Sequence, residues 1–277
     1  VEANEVSEFF TGYDPTLERR DELQSGSVSM PFAIRDFAAP EEIDPRKLMR
    51  HDKQGSMGSC QGFSLTNCGE YLLALGHGAV SESRQFSQLF AYLESQRIDG
   101  LLGRDAGSTI SGGLRVAKEI GYLLESALPY RTPYPNNARS LITDQMRLEA
   151  SPYRIRSHTW LESYDDIYKY LASGSGAVHT GTTWNDSFYA SSGVLESISL
   201  RGGGGHATAW LGYSRRKDSK GRNYIWRLNS HNDSWTEIAP SVIDALCRHQ
   251  YTSIVGISDL SLPGPRSVSW LQSRPLG

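Results

Sequence analysis

Apolar positions in the front half of the chain recur at helical spacing. No proline lies between Cys60 and Leu75, and Phe63, Cys68, Tyr71, Leu72 and Leu75 fall near one face of a 3.6-residue period, which predicts a helix. Ser59 stands at its N-cap position, and Gly76 and Gly78 are its stop signals. A second helical pattern covers roughly 85–97, with Phe86, Leu89, Phe90 and Leu93 on one face. A third runs from about 111 to 120, with Leu114 and Ala117 spaced for burial. After about residue 150 the pattern changes. One helix is expected around 164–173, and the rest alternates and is rich in β-formers, in the stretches GAVHTGTTW, HATAWLGY, NYIWRLN and YTSIVGIS. The expected class is α+β: a mainly helical lobe over 31–150 and a strand-rich lobe over 151–260, with a cleft between them. Residues 1–30 read as an N-terminal extension and 261–277, with Pro263, Pro265 and Pro275, as a loose tail.

Composition narrows the function classes. The 277 residues carry a net charge of −3, without the basic footprint of a nucleic-acid binder. Arg215, Arg216, Lys217, Lys220 and Arg222 lie among Asp218, Ser219 and Gly221, as in a solvated hairpin loop. No run of 18 apolar residues exists, so no membrane span is expected. The chain begins at Val1 rather than methionine, as a trimmed chain or a fragment would, and its first 30 residues contain no apolar signal core. Three cysteines, Cys60, Cys68 and Cys247, are too few for a disulfide scaffold. Without a CxxC pair or an HExxH, no metal site is expected, and nothing calls for a cofactor.

The candidate chemistry starts at QGSMGSCQGF, residues 54–63, where small residues lead into Cys60 at the opening of the first helix. The positive end of a helix dipole favours a thiolate. Cys68, on the apolar face, reads as a core residue. A nucleophilic thiol needs a base and oxyanion donors. Of seven histidines, His51 and His77 sit near element ends, His158 and His249 have uninformative neighbours, and His179 lies in an alternating strand, facing solvent or packing. His206 differs: four glycines, 202–205, precede it and a strand-like segment follows, so it would emerge at a strand entrance with room for a ligand. Asn229, ending NYIWRLN, could orient its ring by accepting from one imidazole nitrogen.

With these residues in place, the sequence resembles the papain-like, cathepsin-type cysteine peptidases. Gln54-Gly55-Ser56-Met57-Gly58-Ser59-Cys60 resembles the family's nucleophile motif, with Gln54 at the spacing of its oxyanion-hole glutamine. His206-Ala207 and Gly212-Tyr213 resemble its histidine segment, and the separation, 206 − 60 = 146, falls in the family range of about 130–150. Asn229-Ser230 and Trp235 resemble its asparagine segment, while Ser111-Gly112-Gly113 resembles the glycine strip that pairs with substrate backbone. The resemblance covers roughly 31–260. It implies a two-lobed fold with a helical lobe, a β-barrel-like lobe and the active-site cleft between them. It further implies thiol-dependent peptide hydrolysis by Cys60, His206 and Asn229 with Gln54 in the oxyanion hole. Gly112, Gly113, Gly205, His231 and Trp235 would bind a peptide or protein substrate, and 178–181 would contribute to the pocket for the second residue upstream of the cut.

Departures from the family keep two alternatives in view: a catalytically weakened or inactive binding module, and a Cys–His amidase acting on cell-wall peptides. Gln61 replaces the tryptophan after the nucleophile, and His231 replaces the one that shields the histidine–asparagine bond from water. Met57 stands where the family usually has a disulfide cysteine, which leans toward an intracellular or virus-associated rather than lysosomal setting. The N-terminal extension is too short for a full inhibitory propeptide. That leaves a remnant, a docking arm, or a strap lying in or near the cleft.

Overall fold

In the computed structural model the described residues are 12–18, 39–174, 176–190, 192–231 and 235–262. Most of the N-terminal extension and the tail from 263 onward lie outside them. The helices are α1 (Cys60–His77), α2 (Gln88–Asp99), α3 (Ile110–Arg115, continued by a π-helical turn at Val116–Ile120), α4 (Ala138–Leu141), α5 (Asp144–Ala150), α6 (Tyr164–Ala172) and α7 (Pro240–Cys247). The strands are β1 (Ile155–Trp160), β2 (Gly176–Trp184), β3 (Val194–Leu195), β4 (Gly204–Lys217), β5 (Asn223–Leu228), β6 (Trp235–Ile238) and β7 (Ser253–Leu260). They form one sheet in the order β1-β7-β2-β4-β5-β6-β3, antiparallel except for β3 with β6.

The sequence pattern predicts one apolar face for α1, yet every residue from Cys60 to Ala74 is buried, including Gln61, Ser64, Thr66, Asn67 and Glu70. The cause is position: α1 lies between α2 and the sheet. Its core neighbours include Ala177, Ala207, Ala209, Leu211, Val255 and Ile257 from β2, β4 and β7. On the opposite side Trp210 packs with Tyr164, Ile167, Ile243 and Leu246 of α6 and α7. Strand β4 therefore sends alternate side chains to two cores, as a pleated strand covered on both faces must.

Close approach of α1 to α2 depends on Gly62. A Cβ there would lie 2.6 Å from the Gln88 carbonyl oxygen and 3.0 Å from Tyr92 Cβ. Gly62→Ala is expected to destabilise the fold by about 1–3 kcal/mol through overpacking. A thermal melt checks this; an unchanged midpoint would show that the two helices have slack.

Local signals end and start the other helices. The Ser87 hydroxyl caps α2 by accepting from the Phe90 N–H, and Gly100, at φ 75°, closes it in the left-handed region. Thr109 caps α3 by accepting from the Gly112 N–H at 2.8 Å. The basic run expected in a hairpin loop joins β4 to β5, where Arg222 pairs with Asp218 and Asp244. No helix among the described residues is long and apolar enough to cross a membrane.

Candidate active site

Cys60 is the first helical residue of α1 and is fully buried. The Ser59 side chain does not cap the helix; it bonds to the Tyr130 hydroxyl at 2.6 Å, and that hydroxyl donates to the Gln54 carbonyl at 2.7 Å. The Gly58 N–H donates to Asp105, which also accepts from the Tyr92 hydroxyl. Loop 54–59 is thus tied to the helical lobe by Tyr130 and Asp105, neither of which the sequence pattern singles out.

From the sheet, the Ala207 N–H points at Cys60 Sγ at 3.4 Å, bringing the thiol beside the residue that follows His206. His206 is fully buried, and its Nε2 bonds to Asn229 Oδ1 at 2.8 Å. With an amide oxygen as acceptor, Nε2 carries the proton. The connection after β5 delivers three consecutive residues to three tasks. Asn229 holds His206. Ser230 donates from Oγ to Gln54 Oε1 at 2.6 Å. His231 stacks on the His206 ring, with centroids 4.2 Å apart and planes at 29°. Gln54 is buried, and its Nε2 donates to the Met57 carbonyl at 2.9 Å.

The rings around His206 form a box. Trp184, at the end of β2, lies 4.3 Å from His206 between centroids. Behind it, the buried Arg227 guanidinium stands 4.9 Å over the Trp184 ring and donates to the Phe188 carbonyl and Thr236 Oγ1. Tyr189 reaches His231 Nδ1 with its hydroxyl at 2.9 Å. Trp184, Tyr189 and Arg227 have no motif spacing that would reveal them; only the return of the 184–189 segment to β4 and β5 brings them here.

Residues 12–14 of the N-terminal extension lie against this site. The Tyr13 N–H donates to the Gly205 carbonyl, Ser108 N–H to the Gly12 carbonyl, and Asp14 N–H to the Ser108 carbonyl. Tyr13 and Ser108 form a parallel bridge. The Gly12 N–H faces the Cys60 thiol. The Tyr13 ring, 4% exposed, sits against Ile110 and Gly181, where a Cβ would lie 2.6 Å from the ring, and its hydroxyl donates to Ser253 Oγ at 3.2 Å. Glu18 accepts from the Ile110 and Ser111 N–H groups at the start of α3.

Three glycines and Trp235 from the sequence reading can now be located. Gly205 contacts Tyr13 directly. Gly112 and Gly113 are not on this edge: they lie inside α3, where a Cβ would meet Asp99 and Gln61 respectively, and Gly107-Ser108 is the backbone that meets residues 12–14. Trp235 opens β6, packs edge-on against Trp226 and borders the core cluster that contains Cys60 and Ala207. His179, left open between solvent and packing, is fully buried and bonded to Ser64 at 2.7 Å. Cys60, Cys68 and Cys247 are free thiols.

Electrostatically the site is at rest. Burial pushes the Cys60 thiol up to about 11, against N–H contacts from Ala207, Gly12 and Gln61 that act the other way. Burial first, then neighbouring His231 and Arg227, hold His206 well below the usual imidazole range, opposed by the bond to Asn229. Burial thus favours the uncharged forms of both side chains in this closed arrangement.

The fold is similar to that of xylellain, a cysteine protease from Xylella fastidiosa, with TM-score 0.70 and 22% identity over 90% of this chain and 96% of that one. It is also similar to procathepsin B S9 from Trypanosoma congolense, with TM-score 0.63 and 16% identity over 91% and 87%. The bromelain protease of Ananas comosus, solved in complex with the E64 inhibitor, gives TM-score 0.55 and 16% identity over 81% and 100%. No family model and no curated protein matches the sequence. The chain has the α+β fold of papain-like cysteine proteases.

Proposed function

We propose that the chain hydrolyses peptide bonds in peptide or protein substrates, with Cys60 as nucleophile, His206 as general acid and base, and Asn229 as the residue that orients the imidazole. The observation that supports this most strongly is the convergence of a helix-opening thiol on the Ala207 N–H, beside a histidine held by an asparagine at 2.8 Å. Once the cleft is open and solvated, Cys60 attacks the scissile carbonyl as thiolate. His206, as imidazolium, gives its proton to the leaving amine. A water, deprotonated by His206, then releases the acyl group from sulfur. The Cys60 backbone N–H and the Gln54 carboxamide, oriented by Ser230, would hold the oxyanion; loss of one such donor typically costs ~2.7–4 kcal/mol of barrier.

In this reading residues 12–18 are a self-docking strap that closes the cleft. Substrate backbone would take the strap's place between Gly107-Ser108 and Gly205, rather than pairing with Gly112 and Gly113. The thiol faces the Gly12 N–H, while the Gly12 carbonyl is engaged by Ser108 at 2.8 Å, so the peptide bond after Gly12 is not offered to Sγ. The upward push on the thiol and the downward push on His206 belong to this closed form.

Incubation with a proteome-derived peptide library, followed by mass analysis, tests the proposal. The expected result is new termini that disappear with E-64, together with an E-64 adduct on Cys60. Cleavage that survives saturating E-64 would overturn the thiol mechanism. The buried, occupied cleft also favours a silent binding module as the second reading. That reading expects no products and no adduct even after the strap is displaced.

A further inference from the structure

We propose that His231 is a positioning residue that keeps the His206–Asn229 bond dry while neutral and disables the site when protonated, giving hydrolysis an acid-side dependence beyond that of the Cys60–His206 pair. The inference rests on the peptidase reading above. In the resembling family this position holds tryptophan, which cannot titrate; an imidazole can.

The geometry fixes the ring in place. His231 lies 4.2 Å from the His206 centroid and nearly parallel to it, and is 4% exposed. Its N–H leans on Asn229 Oδ1 at 3.3 Å, and His51 Nε2 donates to its carbonyl at 2.9 Å. The Tyr189 ring lies nearly parallel to it at 5.9 Å between centroids, and the Tyr189 hydroxyl meets Nδ1 at 2.9 Å. That bond fixes the orientation of the imidazole. The His231 ring thus covers the catalytic pair from the side while Trp184 packs against His206 at a tilt.

The titratable and charged groups facing His231 are His206 from β4, Arg227 from β5, Tyr189 from the segment after β2, and His51 from the segment before α1. Arg227 is a permanent cation, and His206 becomes one during turnover. Burial first, then Arg227, bring His231 down to about 4. A depressed pKa keeps the cover neutral through the working range. As pH falls through it, two imidazolium rings would face each other at stacking distance, and the charge needed on His206 is opposed.

The test is the ratio of kcat/KM for a variant to that of the unsubstituted chain, measured from pH 7 to pH 3.5. Strap opening is common to both proteins and cancels in the ratio. For His231→Trp and His231→Gln, neither of which titrates, the ratio should be constant above about pH 6. It should then climb toward acid, reaching about fourfold by pH 3.5 for a group that titrates at about 4. A merely structural role would change each ratio by one factor at every pH, and such flat ratios would overturn the inference. Loss of activity at all pH in both His231 variants would overturn it too, because a neutral cover would then not suffice. No hydrolysis by the unsubstituted chain at any pH would sink the peptidase reading and this inference with it.

Discussion

Replacing Cys60 by alanine is expected to abolish peptide hydrolysis and leave the fold standing. Removing the nucleophile from a triad of this kind lowers kcat on the order of a million-fold, with residual rate left to the oxyanion donors. The structural cost is small by comparison. Cys60 is fully buried, and alanine removes one sulfur and one weak N–H acceptor, about 1–2 kcal/mol. Thermal unfolding and circular dichroism should match the parent within a few degrees while product formation disappears. Because the Gly12 N–H also rests on Sγ, strap docking is expected to weaken only slightly in this variant. Turnover at the parental rate in Cys60→Ala would remove the thiol from the mechanism.

Gly12→Val is expected to do the opposite and raise activity. A Cβ on Gly12 would lie 1.8 Å from the Gly58 carbonyl oxygen and 2.2 Å from its carbon, so a branched side chain cannot be accommodated with the strap docked. Both clashing atoms are backbone, tied in place through Asp105, and the strap must yield. An increase of at least about tenfold in kcat/KM corresponds to loss of about 1.4 kcal/mol of docking. A second readout is alkylation of Cys60 by iodoacetamide. In the closed form burial raises the thiol to about 11, so closure is favoured at lower pH and weakens as pH rises toward that value. Opening should move the alkylation midpoint downward. Identical alkylation profiles for Gly12→Val and the parent would mean that residues 12–14 do not guard the thiol.

The chemistry-bearing residues were more legible in the sequence than the surfaces that use them. Cys60, His206 and Asn229 stand out because each opens or closes a regular element, and such ends carry readable signals: small residues before a helix, glycines before a strand. The helices at 60–77, 88–99 and 164–172 and four strands follow from their periodicity. Strand β1 and helix α7 were not anticipated. IRSHTW buries only part of its length, and α7 is a short segment announced by Pro240 alone. The glycine pair lies within a helix for a physical reason. Gly112 and Gly113 are small because α3 runs close to Asp99 and Gln61, and no local pattern separates that need from the need of a cleft edge. Tyr13 lies in a polar extension without periodicity, and its burial depends on Gly181, Ile110 and Ser253, far away in sequence. Trp184 and Tyr189 read as ordinary aromatic residues, since nothing local records that their neighbours are histidines.

The tripeptide Asn229-Ser230-His231 reaches His206, Gln54 and the ring face from three successive positions. Its length is therefore an inheritance constraint of a different order from its composition. An insertion or deletion there would throw all three contacts out of phase in one event, whereas the turn between Lys217 and Asn223 can lengthen without touching any of them.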